Sequence, residues 1–221
     1  MRSFDEIYDI AAARKGGTEA LEALLSVPKP AAELAAIPDD RWLAAMTRSV
    51  FQAGFNWKVV ENMWPGFEAA FDGFDVGRCA MLSDEDFGRL VSDKRIIRHG
   101  AKIKSVQQNA VFVQALAAQS GSAGKAISDW PSTDFIGLME LLKKRGSRLG
   151  GATGPYCLRA MGKDGFILSQ SVTGRLITEG IIDRQPASKK ALAGVQSAFN
   201  IWMQQSGRSL TEISRVLAMS L

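Results

Sequence analysis

Apolar residues in this chain recur at three- and four-residue intervals almost from end to end, and they almost nowhere alternate with polar ones. That period is the helical one, and it leaves little on which a sheet could be built. Between Asp39 and Trp57, the residues Trp42, Met46, Val50 and Ala53 make one apolar face. From Ile103 to Ala118 the spacing returns in Val106, Ala110, Val113 and Ala117, with Leu116 beside them. Phe135, Leu138, Met139 and Leu142 form a third stripe, and Leu192, Val195, Phe199 and Trp202 a fourth. The strand-like run Gly165-Phe166-Ile167-Leu168 is too short to seed a sheet. The expected fold class is all-α.

Helix ends can be placed as well. Ser83 followed by Asp86, and Ser209 followed by Glu212, have the hydroxyl N-cap and first-turn acid of a capping box. Pro30, Pro38, Pro65, Pro131 and Pro186 mark boundaries between helices. The segment from Gln119 to Ala126, QSGSAGKA, reads as a short flexible connection. With 221 residues, 46% of them hydrophobic, the chain has the length for one large or two-lobed domain.

Charge decides less. The 27 Lys and Arg against 23 Asp and Glu leave a net +4, which permits nucleic-acid binding without arguing for it. Cys79 and Cys157 stand far apart, with His99 the single histidine, so neither a disulfide framework nor a closed zinc site is expected. Both cysteines read as small buried apolar residues. The N-terminus is acidic early and lacks the apolar core of a signal peptide, and no apolar run approaches the ~20 residues of a membrane span. A cytoplasmic monomer with no membrane association is expected.

Two basic, glycine-containing turns are the most informative segments. The first runs from Lys94 to Lys104 through Arg95, Arg98, His99, Gly100 and Lys102. The second runs from Lys143 to Thr153 through Lys144, Arg145, Gly146, Ser147, Arg148, Gly150 and Gly151. Glycine lets backbone N–H groups turn outward, and a helix N-terminus just beyond adds partial positive charge, so such turns can hold phosphate without reading sequence. The plainer reading is that Lys and Arg complement a helix C-terminus, with Gly as its stop.

The block Gln52-Ala53-Gly54-Phe55-Asn56-Trp57, then Phe67 to Phe74, then Ile96-Ile97-Arg98-His99 with Lys102-Ile103 and Asn109-Ala110, resembles the type I 3-methyladenine DNA glycosylase family. The run Leu141-Leu142-Lys143-Lys144-Arg145-Gly146, with Gly151 and Tyr156, is similar to the later hairpin of that family. The resemblance covers about residues 38–177 and rests on the order and spacing of several blocks. It implies a two-lobed helix-hairpin-helix glycosylase fold with a base pocket in a cleft. The expected organisation is a glycosylase-like domain at 38–187 with its hairpin at 146–151 and, outside the resemblance, a helical extension at 1–37 and C-terminal helices at 188–221 packed on the same domain. The implied partner is double-stranded DNA carrying a damaged purine. The implied phosphate-binding residues are Lys144, Arg145, Gly146, Arg148, Gly150 and Gly151. Trp57 matches the family's stacking tryptophan, with Gln52, Phe55, Asn56 and Tyr156 as further pocket candidates. Each has a plainer role, Trp57 as a core residue and the polar groups as partners for nearby backbone.

The chain also departs from the pattern. The base-recognising glutamate of the family falls at Ser49, and the catalytic aspartate of the wider superfamily falls at Gln170. Serine still hydrogen-bonds but cannot oppose the positive charge of an alkylated purine, and a neutral amide is a poor base. Asp164 is a candidate substitute carboxylate, although nothing in the sequence places it in a pocket. The cysteine and histidine zinc site of the family is absent, so no cofactor is expected. Three readings follow: a base-excision glycosylase for labile alkylated purines, a catalytically impaired DNA- or lesion-binding relative, and an unrelated helical interaction domain.

Overall fold

In the computed structural model, which describes residues 1–221, the chain forms fifteen α-helices and no strand. In chain order they are α1 (Phe4–Lys15), α2 (Thr18–Glu22), α3 (Ala31–Ala35), α4 (Asp39–Gln52), α5 (Trp57–Asn62), α6 (Trp64–Ala70), α7 (Val76–Ala80) and α8 (Asp84–Ser92). There follow α9 (Gly100–Ser120), α10 (Ala123–Ser128), α11 (Phe135–Arg145), α12 (Thr153–Met161), α13 (Gln170–Thr178), α14 (Lys189–Ser206) and α15 (Leu210–Ser220). The helical period therefore gives the fold class correctly. None of these helices is long and apolar enough to cross a membrane.

The caps explain where many helices begin. Ser83 and Ser209 each accept from the backbone three residues on, while Asp86 and Glu212 reach back, completing the expected boxes. Ser3 and Glu6 form a third box at the start of α1. One boundary differs from the sequence reading. The QSGSAGKA segment is mostly helix, with a break only at Gly121 and Ser122, and Ser122 caps α10. The glycine at 124 is there for close approach: a Cβ would lie 2.9 Å from the carbonyl oxygens of Leu34, Ala35 and Ile37. A second difference is Ala53, which ends α4 in extended conformation and is exposed rather than part of the buried stripe.

The chain divides into two compact units. One comprises Met1–Lys29, Pro131–Gly137 and Gly162–Leu221, so the N-terminal helices and α13 to α15 share it. Its core is aromatic. Phe166 stacks on Phe199 with centroids 4.2 Å apart, Phe135 meets Phe166 edge-on at 5.0 Å, and Trp202 is perpendicular to Phe199 at 5.6 Å. Gly165 has no room for a side chain, since a Cβ would sit 2.3 Å from the Phe135 ring. Asp164 accepts from the Thr211 and Leu210 backbone N–H groups at 2.9 and 3.2 Å, and from the Ser132 hydroxyl at 2.9 Å. It is thus committed to the start of α15, which removes it as the substitute carboxylate.

The other unit comprises Pro30–Trp130 and Leu138–Met161. Here α9 is the central element, with Ile103, Val106, Ala110 and Val113 fully buried and with α4, α7, α8 and α10 packed against it. Beneath α4, Phe51 meets Phe67 edge-on at 4.7 Å, and Trp64 stacks on Phe67 and Phe74 at 5.4 Å each. The Arg48 guanidinium lies 4.1 Å over the Trp64 ring. This packing fixes the C-terminal end of α4, and α12 packs along the same helix.

Candidate functional site

The end of α4 is held by a buried cation. Lys102, on α9, donates from Nζ to the carbonyl oxygens of Val50, Phe51 and Ala53 at 2.8, 3.3 and 2.5 Å. It satisfies carbonyls that the last turn of a helix leaves unpaired, and its charge suits that end of the helix dipole. Burial holds its ammonium below the usual lysine range, and the nearby Arg148 charge adds to the effect. Phe55 closes over the ammonium at 4.4 Å and meets His99 edge-on at 6.2 Å. His99 in turn caps α9. In the first basic turn Lys102 is thus buried and Arg95 is paired with Asp93 at 2.7 Å, while Lys94, Arg95, Arg98 and Lys104 are exposed.

Beyond this clamp the chain turns through Gly54, whose φ of +81° is open to glycine, and Asn56 caps α5 by accepting from Lys58 N at 2.9 Å. The turn carries Trp57 to the rim of a cavity of about 470 Å³ between the α4–α5 corner and α12. Ser49, Gln52 and Trp57 line it on one side, and Thr153, Tyr156 and Arg159 on the other. Trp57 and Tyr156 meet edge to face, and both remain substantially exposed. Three of the five residues expected in the pocket, Gln52, Trp57 and Tyr156, are brought together here, along with Ser49. Phe55 and Asn56 are not among the lining residues, because one covers Lys102 and the other caps α5. Gln170 lies in the other unit, exposed at the first residue of α13 behind its N-cap Ser169.

Two neighbours of the cavity escaped the sequence. Cys157 is buried beside Ser49, and burial pushes its thiol up to about 11 against a hydrogen bond with the serine. It therefore stays a neutral thiol at physiological pH. Arg159 shares the α12 face with Tyr156, a three-residue spacing that could have been read from the sequence. No carboxylate lines the cavity. No group of three or more His, Cys, Asp or Glu side chains is placed to hold a metal ion.

The turn from Gly146 to Gly151 joins α11 to α12 and is clamped onto α9. Asn109 accepts from Ser147 N at 2.7 Å and donates to Ser147 O at 3.1 Å, while the Ser147 hydroxyl donates to Gln108 at 2.6 Å. Gly146 ends α11 by donating to Leu142 O at 2.9 Å, and a Cβ there would lie 2.6 Å from Leu149 Cδ1. Lys144 pairs with Glu140 one turn back at 2.8 Å, and the Arg145 guanidinium lies 5.9 Å from the Phe112 ring centroid. Arg148 is exposed with a left-handed φ of +60°, and Gly151 follows at +61°.

Part of this chain is similar to the methyladenine glycosylases. Residues 36–134 match the methyladenine glycosylase family, a segment that includes Ser49, Gln52 and Trp57. DNA-3-methyladenine glycosylase 1 of Escherichia coli is 41% identical over 59 residues, which cover 27% of this chain and 32% of that protein. The chain thus spans about a third of the length of this curated relative. In structure, 3-methyladenine DNA glycosylase I from Staphylococcus aureus matches with a TM-score of 0.50 and 22% identity, over 57% of this chain and 77% of that one. A variant of 3-methyladenine DNA glycosylase I in complex with 3-methyladenine matches at 0.50 and 19%, over 70% and 91%. These likenesses show the fold.

Proposed function

We propose that this protein is a DNA glycosylase of base-excision repair, hydrolysing the N-glycosidic bond of alkylated purines such as 3-methyladenine in double-stranded DNA. The observation that carries the reading is the cavity that gathers Trp57, Tyr156, Gln52 and Ser49 at the end of α4. Its volume falls in the range of roughly 300–1,000 Å³ common to small-molecule sites. A base must leave the stack to reach such a cavity, and exposed aromatic faces are what receive it. Relatives named for 3-methyladenine, one of them complexed with that base, support the choice of lesion.

The chemistry fits a labile substrate. Glycosidic cleavage passes through an oxocarbenium-like state that a nearby carboxylate normally stabilises. An N3-alkylated adenine is already cationic and departs neutral, so no general acid is required. Ser49 offers a hydroxyl to the base edge. The hairpin residues Lys144, Arg145, Gly146, Arg148, Gly150 and Gly151 would hold phosphate, with Arg148 the one charged residue between Gly146 and Gly151.

One observation favours a second reading. The cavity lining has no carboxylate, which suits a protein that binds a lesion without turning over. Base release from methylated duplex DNA, resolved by chromatography against spontaneous loss, separates the two. Release of 3-methyladenine above background supports the glycosylase. DNA binding without release would overturn it in favour of the noncatalytic relative.

A further inference from the structure

We propose that Glu61 is a positioning residue that sets the hydrogen-bonding face of the cavity, acting through Gln52; the inference rests on the cavity receiving a purine, as argued above. Gln52 is the last residue of α4 and lines the cavity, and its Nε2 donates to Glu61 Oε1 at 2.8 Å. Glu61 lies on α5 one turn beyond Trp57, so the same short helix carries the aromatic wall and the carboxylate. An ionised carboxylate only accepts hydrogen bonds, whereas the two ends of a glutamine amide have opposite character. The pairing therefore decides which end is which: the NH₂ group turns to Glu61, and the carbonyl oxygen is left for the cavity. Arg48 Nε lies 3.8 Å from the same Glu61 oxygen, a charge pairing without a hydrogen bond, while its guanidinium rests on Trp64. Without Glu61 the amide could rotate by half a turn and present a donor instead.

A fixed acceptor favours a base edge bearing an N–H donor. The exocyclic amino group of an N-alkylated adenine has that character, and the oxygen of a 6-oxo purine does not. The test is a tryptophan-fluorescence titration of the full chain with free 3-methyladenine and with 3-methylhypoxanthine, since Trp57 at the cavity reports occupancy. The wild type should favour the amino purine by about tenfold, the scale of one hydrogen bond. Glu61→Ala should bring that ratio close to one, and so should the isosteric Glu61→Gln, whose amide can donate to Gln52 as well as accept from it and so no longer fixes its orientation. A general loss of structure would weaken both ligands together and leave their ratio unchanged. An unchanged ratio in Glu61→Ala or Glu61→Gln, with the affinity for both bases otherwise retained, would overturn the positioning role while leaving the purine cavity intact. A wild type that binds neither base would overturn the purine cavity itself, and this inference with it.

Discussion

Trp57 and Tyr156 approach each other edge to face, with ring centroids 6.3 Å apart and planes at 86°. They come from different helices, and their separation is set by the packing of α12 on α4. With 56% and 42% of their surface exposed, neither is a core residue. Two large aromatics held in mutual contact yet left wet at a cavity are better explained by a ligand than by folding, because burial elsewhere would stabilise the fold more.

Trp57→Ala should therefore separate recognition from stability. Stacking of a base on an aromatic ring contributes about 1–3 kcal/mol, so affinity for 3-methyladenine should fall by roughly 10- to 100-fold. Unfolding by heat should change little, because the side chain is mostly exposed. Nonspecific duplex binding should be unaffected. Titration of wild type and variant with the free base and with undamaged DNA checks all three, and a variant that still discriminates damaged DNA would exclude this ring as the stacking surface.

The helical core was legible because its period is written directly in the residues: Val106, Ala110 and Val113 on α9, and Val195, Phe199 and Trp202 on α14, are buried as their spacing predicts. The capping boxes at Ser83 and Ser209 were legible for the same reason, since their signal is local. What the sequence could not reveal was which polar group serves the fold and which remains available. Lys102 and Arg148 are both cations in basic, glycine-bearing turns, yet one is buried against three carbonyls and the other is exposed. Asn56 and Gln52 are both amides near Trp57, yet one caps a helix and the other lines the cavity. Those assignments depend on tertiary contacts that no spacing encodes.

Arg148→Gly should move stability and DNA binding in opposite directions. A side chain at φ +60° carries a steric cost of roughly 1–2 kcal/mol that glycine escapes, offset in part by its looser unfolded chain. Removing the charge also relieves its repulsion of Lys102. A modest rise in Tm of about 2–4 °C is expected for a net gain near 1 kcal/mol. If the hairpin holds phosphate, duplex affinity falls about equally for all sequences and the salt slope shrinks by about one. A rise in Tm with unchanged DNA affinity would remove Arg148 from the interface.

Glu179 gives a pH dependence with a defined sign. Burial pushes its carboxyl up, but hydrogen bonds from the Arg2 backbone and guanidinium and from Arg175 outweigh it, and the group sits below its ordinary 4.5. A carboxyl with a lower pKa folded than unfolded adds stability that is present above the unfolded value and disappears as pH falls through the folded one. Glu179→Gln should cost about 1–3 kcal/mol at pH 7 by weakening charged hydrogen bonds. In urea titrations, the gap between wild type and variant should narrow as pH falls below 4.5. A gap that is constant with pH would assign the effect to packing rather than charge.

Ser49→Glu tests what the cavity lacks. The position lines the cavity beside the neutral Cys157 thiol, so a glutamate there would face the bound base from a lining that holds no other carboxylate. At an effective dielectric near 20, opposite charges about 4 Å apart interact by roughly 4 kcal/mol, and only the part that grows in the transition state speeds the reaction. An increase of about 10- to 100-fold in release of 3-methyladenine is the expected result. The same substitution removes the Ser49 hydrogen bond to Cys157 and partly buries a charge, so the free protein should lose about 1–3 kcal/mol of stability. Faster release from a less stable protein would mean that the wild-type cavity is built for binding and positioning, with electrostatic catalysis added by one side chain. Equal or slower release, with 3-methyladenine still bound, would place the reacting sugar out of reach of position 49.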